Sequence, residues 1–344
     1  MKLTGIRRVY DEEGPFATVY LESRAPAEDA QTQMRLRWNG LRERLEESGA
    51  EAAALDAIEA ELQRGKSREE QVDGRVLVAN SSGVVLDVAW DAALGTGDDA
   101  HWGVLPELGA YARERARAVR ELVVVPDQQG AHLRQEIIAQ QHQPRDLAAE
   151  NVEGGGSGKV HKPRGQALSH NHIQRRKDEV VKRNAKDVVS RIGTVAADFE
   201  PRVVVLAGEV QARTEVRDLL PPDLAPVAVE AERGGLDEHG SDAELADQLL
   251  EIAGRESERA QQDAAERLEA GIPHGNAVHG DAPVARAAEM GAVDTLLFED
   301  GAAASREALL LKTCAETDSE FALLPEGTGT ADGIAALLRF PIGS

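Results

Sequence analysis

Nine lysine and arginine side chains lie between residues 159 and 186, where only Asp178 and Glu179 carry negative charge. This segment has a formal charge of +7. The rest of the chain has 30 basic and 59 acidic residues, and the net charge of the whole chain is −22. Lysine and arginine contact nucleic-acid phosphates and release condensed counterions. The positive segment therefore predicts a nucleic-acid contact, and the acidity elsewhere is typical of solubility or of adaptation to high salt.

The second half of the segment predicts an amphipathic helix over about residues 171–192. At about 100° per residue, the apolar side chains gather on one side, and these are Ile173, Val180, Val181, Val188 and Ile192. Five cations gather on the opposite side, namely Arg175, Arg176, Lys182, Arg183 and Lys186. The pattern favours one face that packs on a sheet and one that contacts a phosphate backbone. The alternative is an ordinary solvated helix face.

Ahead of this helix, the glycine-rich run 154–158 leads into a basic loop. The candidate RNA-contacting residues of the loop are Lys159, His161, Lys162, Arg164, Gly165 and Gln166. A phosphate-binding P-loop needs four residues between its glycines and Ser or Thr after its lysine. Here three residues separate Gly154 from Gly158, and Val160 follows Lys159. We therefore do not expect a nucleotide site in this loop.

Three histidines, His161, His170 and His172, raise the question of a metal site. Helix positions two apart diverge, and no cysteine or carboxylate stands at a recognisable ligand spacing. An RNA-facing or surface role is favoured, so neither a metal nor a cofactor is expected. The single cysteine, Cys314, predicts a buried thiol without catalytic context and excludes an internal disulfide. No apolar run approaches the ~18 residues of a membrane span, and the composition favours the cytoplasm and no membrane partner.

Strand-like and helix-like patterns alternate along the chain, which predicts an α/β fold in three domains, 1–118, 119–271 and 272–344. Predicted strands are 16–21, 75–79, 84–90, 122–126, 131–138, 202–206, 226–229, 293–298 and 321–324. Residues 80–83 predict a hairpin turn between two of them. Predicted helices are 29–62 with a break near Gly49, 171–192, one after Gly208, one from Ser241 toward Ala270, 284–290, 305–313, and one that starts at Ala331 or Asp332 and leads into residues 337–340.

Arg164-Gly165-Gln166-Ala167, in a basic loop before a basic helix, resembles the Gly-Gly-Gln loop of archaeal and eukaryotic class-1 release factors. The C-terminal residues 289–298 and 333–340 are also similar to the third domain of those proteins. The chain most closely resembles the bacterial and archaeal branch of this superfamily, which includes the ribosome hibernation factor Balon. The resemblance implies an N-terminal α/β domain on the decoding-centre side, a central RNase H-like domain with a degenerate Gly-Gly-Gln loop, and a C-terminal L7Ae-like domain.

Two departures from the release-factor pattern shape the functional expectation. Arg164 stands where the family has the first of two glycines, which supply backbone freedom cheaply. The Asn-Ile-Lys-Ser motif that the family uses in stop-codon reading is absent. The resemblance therefore implies a non-catalytic factor that occupies the ribosomal A site and protects idle ribosomes under stress. Its implied partners are ribosomal RNA, tRNA and elongation factor Tu.

Two other functions stay open. A ribosome rescue factor would hydrolyse peptidyl-tRNA through Gln166, whose backbone N–H would stabilise the developing oxyanion. A ribosome-independent RNA-binding stress protein would bind RNA through the same basic segment.

Overall fold

The computed structural model describes residues 1–22, 30–64, 74–90, 98–127, 129–138, 145–153, 170–231, 241–302, 304 and 306–342. Within them lie three β-sheets, each packed against helices. The predicted α/β fold class is confirmed. Contacts divide the chain into two compact units, one formed by Met1–Arg117 with Glu258–Ser344 and the other by Ala118–Ser257. The domain boundaries at residues 118 and 271 stay a prediction.

The first sheet is antiparallel, in the order β3-β2-β1-β4. Its strands are β1 (Phe16–Leu21), β2 (Gly74–Asn80), β3 (Gly83–Trp90) and β4 (Asp99–Gly103), and the helices of this region are α1 (Thr4–Arg7), α2 (Ala30–Glu47), α3 (Ala52–Arg64) and α4 (Gly109–Arg117). Strand β1 is buried along its whole length. Because successive side chains point to opposite faces, Ala17, Val19 and Leu21 pack on α2 and α3, while Phe16 and Tyr20 enter a second core.

The C-terminal sheet has the order β10-β13-β11-β12. Its strands are β10 (Ala277–His279), β11 (Val293–Glu299), β12 (Glu320–Leu324) and β13 (Ile334–Leu338), and its helices are α8 (Asp281–Glu289) and α9 (Glu307–Glu316). One face of this sheet shares a buried core with the first sheet, so that Tyr20, Trp90 and Leu108 belong to the same cluster as Phe298 and Phe321. The two ends of the chain therefore form one compact unit.

The central sheet has the order β7-β6-β5-β8-β9. Its strands are β5 (Val119–Pro126), β6 (Gly130–Ile138), β7 (Arg145–Glu153), β8 (Val203–Leu206) and β9 (Ala228–Glu230), and its helices are α5 (His170–Phe199), α6 (Val210–Leu219) and the first part of α7 (Ser241–Gly271). Helices α5 and α6 cover one face, and Leu245, Leu249 and Ile252 of α7 cover the other. The middle strands β5 and β8 are parallel and rich in valine, as expected for a sheet buried on both faces.

The prediction of a helix from Ala331 or Asp332 was wrong. A single 3₁₀ turn at Ala331–Gly333 is followed by strand β13, which lies between β10 and β11. Asp332 and Gly333 have positive φ angles of 59° and 68°, which end a helix at once. All five residues of β13 are buried, and a short, continuously apolar run cannot be assigned to a strand or a helix by its periodicity.

Candidate nucleic-acid interface

Helix α5 is anchored to the central sheet along one side. Val188 and Ile192 are 1% and 0% exposed, and Ala185 and Phe199 are buried with them. They pack against valines and leucines of β5, β6 and β8 and against residues of α6. The predicted packing face is confirmed at Val188 and Ile192, whereas the side chains of Ile173, Val180 and Val181 lie outside the described residues.

The opposite side of α5 presents three exposed cations, Lys182, Arg183 and Lys186. Residues three and four apart on a helix are neighbours on its surface, so Lys186 lies next to both of the others. None of the three forms an ion pair with another residue that the structure describes. The predicted exposure is confirmed for these three cations, and we call them the α5 cationic face.

The next cation along α5 is already neutralised. The guanidinium of Arg191 donates two hydrogen bonds of 2.7 Å to the carboxylate oxygens of Glu150 on β7. These bonds hold the pKa of the Glu150 carboxyl below its usual value. Arg191 thus stabilises the contact between α5 and β7 and leaves little charge for an external phosphate.

Arginines elsewhere in the described parts of the chain are commonly engaged with carboxylates. Arg113 pairs with Glu307 at 3.0 Å, and Arg213 pairs with Glu230 at 2.9 Å. Further pairs are Arg37 with Asp98, Arg75 with Asp87 and Arg117 with Asp300. The lysines are distributed less evenly than the arginines. Five of the eight lysines in the whole sequence fall within residues 159–186. The segment therefore concentrates the cation type that the rest of the chain scarcely uses.

The other predicted contact residues lie beyond what the structure describes. Arg175 and Arg176 fall within the backbone span of α5, but their side chains are outside the described residues. Lys159, His161, Lys162, Arg164, Gly165 and Gln166 are also outside them, as are the side chains of His170 and His172. The RNA-binding role of all these residues stays a prediction.

A pair of buried glutamates on the other face of the central sheet was missed by sequence reasoning. Glu121 of β5 and Glu136 of β6 are direct cross-strand partners and are 0% and 1% exposed. Burial, then the carboxylates of Glu136 and Glu256, raise the pKa of Glu121 to about 9. The Nε of Arg134 lies 2.9 Å from Glu136. The available signal was the alternation of each strand, which puts Glu121 on the same face as Val119 and Val123, and Glu136 on the same face as Ile138.

Other potential chemistry is limited in the part of the chain that is described. No group of three or more His, Cys, Asp or Glu side chains there could hold a metal ion. Cys314 is buried as predicted, and burial raises the pKa of its thiol to about 12. None of the described helices is both long enough and apolar enough to span a bilayer.

Comparison with known proteins bears on the segment that contains α5. Residues 120–274 match the family described as bacterial archaeo-eukaryotic release factor family 2. Two curated relatives come from Mycobacterium tuberculosis, Uncharacterized protein MT2704 of strain CDC 1551 and Uncharacterized protein Rv2629 of strain H37Rv. Each is 25% identical over 307 residues, which cover 86% of this chain and 78% of the relative.

Solved structures that the chain matches include ribosome-bound archaeal Pelota with ABCE1, at 14% identity and a TM-score of 0.44 over 99% of this chain and 95% of that one. Dom34 of S. cerevisiae matches at 13% identity and a TM-score of 0.45 over 79% and 82% of the two chains. The archaeal translation termination factor aRF1 matches at 18% identity and a TM-score of 0.25 over 98% and 97%. At these TM-scores the structures support no functional statement. The family match is what relates residues 120–274, and with them the α5 cationic face, to the archaeo-eukaryotic release factor superfamily.

Proposed function

We propose that this protein is a ribosome-binding translation factor that docks on ribosomal RNA through the α5 cationic face. One observation carries the proposal: three exposed cations, without a described carboxylate partner, stand on a helix whose other side is buried. That helix belongs to the segment that matches a release-factor family. Because the chain as a whole carries a charge of −22, these cations offer the anionic RNA backbone a local site in an otherwise repulsive field.

Within this function, we propose that the protein occupies the A site of idle ribosomes and does not read stop codons. The supporting observations are Arg164 in place of the first loop glycine and the absence of an Asn-Ile-Lys-Ser motif. Replacing a glycine by a bulky cation removes backbone freedom where release factors need it. Contact with tRNA and with elongation factor Tu belongs to the same proposal, and co-purification from stationary-phase cells tests both contacts.

The docking proposal is tested by reversing the charge of the α5 cationic face. Lys182, Arg183 and Lys186 are replaced together by glutamate, and sedimentation with ribosomes is measured against the wild type. We expect association to be lost, because three cations become three anions beside the RNA backbone. With about three phosphates contacted, the wild-type affinity should fall with salt at a log–log slope of roughly −3.

A charge-matched control separates local contact from a global effect of charge. Arg8, Arg202 and Arg286 are exposed and lie outside α5, and their replacement by glutamate changes the net charge by the same amount. This variant should sediment with ribosomes nearly as the wild type does. Equal losses in the two triple variants would contradict docking through α5.

The runner-up function is peptide release by a rescue factor, which is favoured by retention of Gly165-Gln166 in the loop. A peptidyl-tRNA release assay that compares the wild type with Gln166→Ala decides between the two. We expect equal and negligible rates. Release that depends on Gln166 would replace the hibernation proposal with rescue, while binding to free RNA without sedimentation with ribosomes would favour the ribosome-independent stress protein.

A further inference from the structure

The central unit is poor in Phe, Tyr and Trp, the large aromatic side chains on which the bases of single strands commonly stack. Phe199 is the only Phe, Tyr or Trp residue in Ala118–Ser257. It is 9% exposed and lies at the C-terminal end of α5, beneath the guanidinium of Arg120, which is 6.0 Å from the ring centroid. Proteins that bind single-stranded nucleic acid combine a basic groove with exposed aromatic platforms. The basic element is present here, whereas an exposed Phe, Tyr or Trp platform is absent from this unit.

The helix backbone that carries the described cations is fixed in place. Ala185, Val188 and Ile192 anchor the helix backbone in the core of the central sheet. Lys182 and Lys186 are one turn apart, with a rise of about 6 Å between them. A row of cations at fixed positions along a helix backbone suits phosphates that are regularly spaced, as they are along a double helix. Double-stranded RNA is recognised mostly by its shape and its backbone.

The positive surface also ends at a definite point on α5. Beyond Lys186 come the exposed carboxylates of Asp187 and Asp198, and Arg191 between them is paired with Glu150. An RNA backbone that extended along this end of the helix would meet carboxylates in place of unpaired cations. The favourable contact therefore lies on the Lys182–Lys186 part of the described helix.

From these observations we infer that the ligand of the α5 cationic face is the phosphate backbone of base-paired RNA, bound without stacking of bases on Phe, Tyr or Trp, with the contact ending at Lys186. The inference rests on the proposed function and names the class of RNA element that the site takes on the ribosome. Affinity then depends on duplex geometry and charge density and is indifferent to base sequence. A double helix also releases more counterions per contact than a single strand.

Fluorescence anisotropy with the full-length protein tests this inference. The probes are two labelled RNA hairpins with unrelated stem sequences and a single-stranded oligouridine with the same number of phosphates. We expect the hairpins to bind within about threefold of each other and the oligouridine to bind at least tenfold more weakly. A smaller preference for duplex over oligouridine, or a larger difference between the hairpins, would overturn the inference.

Salt titration of single variants locates the end of the contact. Lys182→Ala and Lys186→Ala should each reduce the log–log salt slope on hairpin RNA by about 1, the change for one lost phosphate contact. Arg191→Ala, as the matched control on the same helix, should leave the slope unchanged. An equal reduction in Arg191→Ala would show that the contact continues past Lys186 and would refute the proposed boundary.

Sedimentation with ribosomes distinguishes failure of this inference from failure of the proposed function. Binding to ribosomes without a duplex preference overturns the RNA class alone. A duplex preference without binding to ribosomes overturns the proposed function and leaves the RNA class standing.

Discussion

Glu121 and Glu136 place two carboxyl groups in a core whose other members are valine, leucine, isoleucine and alanine. Two adjacent buried carboxylates repel each other, and each loses the solvation of its charged form. Burial, followed by the neighbouring carboxylates of Glu136 and Glu256, raises the pKa of Glu121 to about 9, so Glu121 is protonated at neutral pH. The pair lies on the sheet face covered by α7, opposite to the face covered by α5. It therefore bears on stability and lies outside the proposed RNA contact.

A pH dependence of stability follows from Glu121. Its folded pKa, about 9, lies above the value of 4.5 that is normal for a glutamate. The folded state therefore holds the proton more tightly, and the protein loses stability as the pH rises through this window, by at most about 1.4 kcal/mol per pH unit. In Glu121→Gln this loss should disappear. The free energy of unfolding of the wild type and of Glu121→Gln is measured by urea denaturation at several pH values between 5 and 9.

The control for this prediction is Glu153→Gln, which neutralises an exposed glutamate of β7 in the same sheet. That variant should follow the wild-type pH dependence. If the difference in unfolding free energy between the wild type and Glu121→Gln stays constant across the window, Glu121 does not carry a raised pKa.

At the scale of elements, α4 joins the first sheet to the C-terminal sheet through two arginines. Arg113 donates to the carboxylate of Glu307 at the start of α9 and to the backbone carbonyls of Glu299 and Ala302. Its guanidinium lies 5.0 Å from the centroid of the Phe298 ring. Arg117, one turn later, pairs with Asp300. These contacts border the core that the two sheets share, so α4 ties the two ends of the chain into one unit.

Removing the Arg113 side chain should destabilise this unit. The variant Arg113→Ala leaves Glu307, whose side chain is 16% exposed, without its cation. Loss of one partner from a largely buried pair costs about 3–5 kcal/mol. We expect a clear fall in the urea midpoint. Arg115→Ala on the same helix is the matched control, because Arg115 forms no ion pair among the described residues, and an equal fall in both variants would contradict the role of Arg113.

At the scale of the whole molecule, the net charge of −22 makes the folded protein repel itself. Salt shortens the range of this repulsion, because the Debye length falls from ~10 Å at 0.1 M to ~3 Å at 1 M. The same salt weakens contacts between cations and RNA phosphates. Added salt should therefore raise the stability of the folded protein and lower its affinity for RNA.

Raising KCl from 0.1 M to 1 M should increase the temperature of thermal unfolding by roughly 3 °C or more, equivalent to about 1 kcal/mol. Circular dichroism measures the transition, and an uncharged osmolyte series separates screening from preferential exclusion. An unfolding temperature that is flat or falling with KCl would show that charge repulsion is a minor term. Hairpin RNA affinity, measured in the same buffers, should decrease.

Much of this architecture was determined by local sequence signals. Strand β1 was predicted at its observed bounds, Phe16–Leu21, and the hairpin turn at residues 80–83 joins β2 to β3 as expected. Gly49, with a φ of 83°, breaks the predicted long helix into α2 and α3. These features depend on apolar periodicity, on hairpin-forming residues and on glycine, all of which act over a few residues. The exposed side of α5 at Lys182, Arg183 and Lys186 followed from the same helical periodicity.

Only the tertiary structure decided the features that depend on distant partners. The short apolar run in β13 became a strand because β10 and β11 pair with it on both sides. The first and last sheets share one core because residues more than 200 positions apart, such as Tyr20 and Phe298, are buried together. From the sequence, Arg191 is one more cation on α5. In the folded protein its charge is neutralised by Glu150. Pairing, shared burial and charge neutralisation are properties of two surfaces at once, so one stretch of sequence cannot determine them.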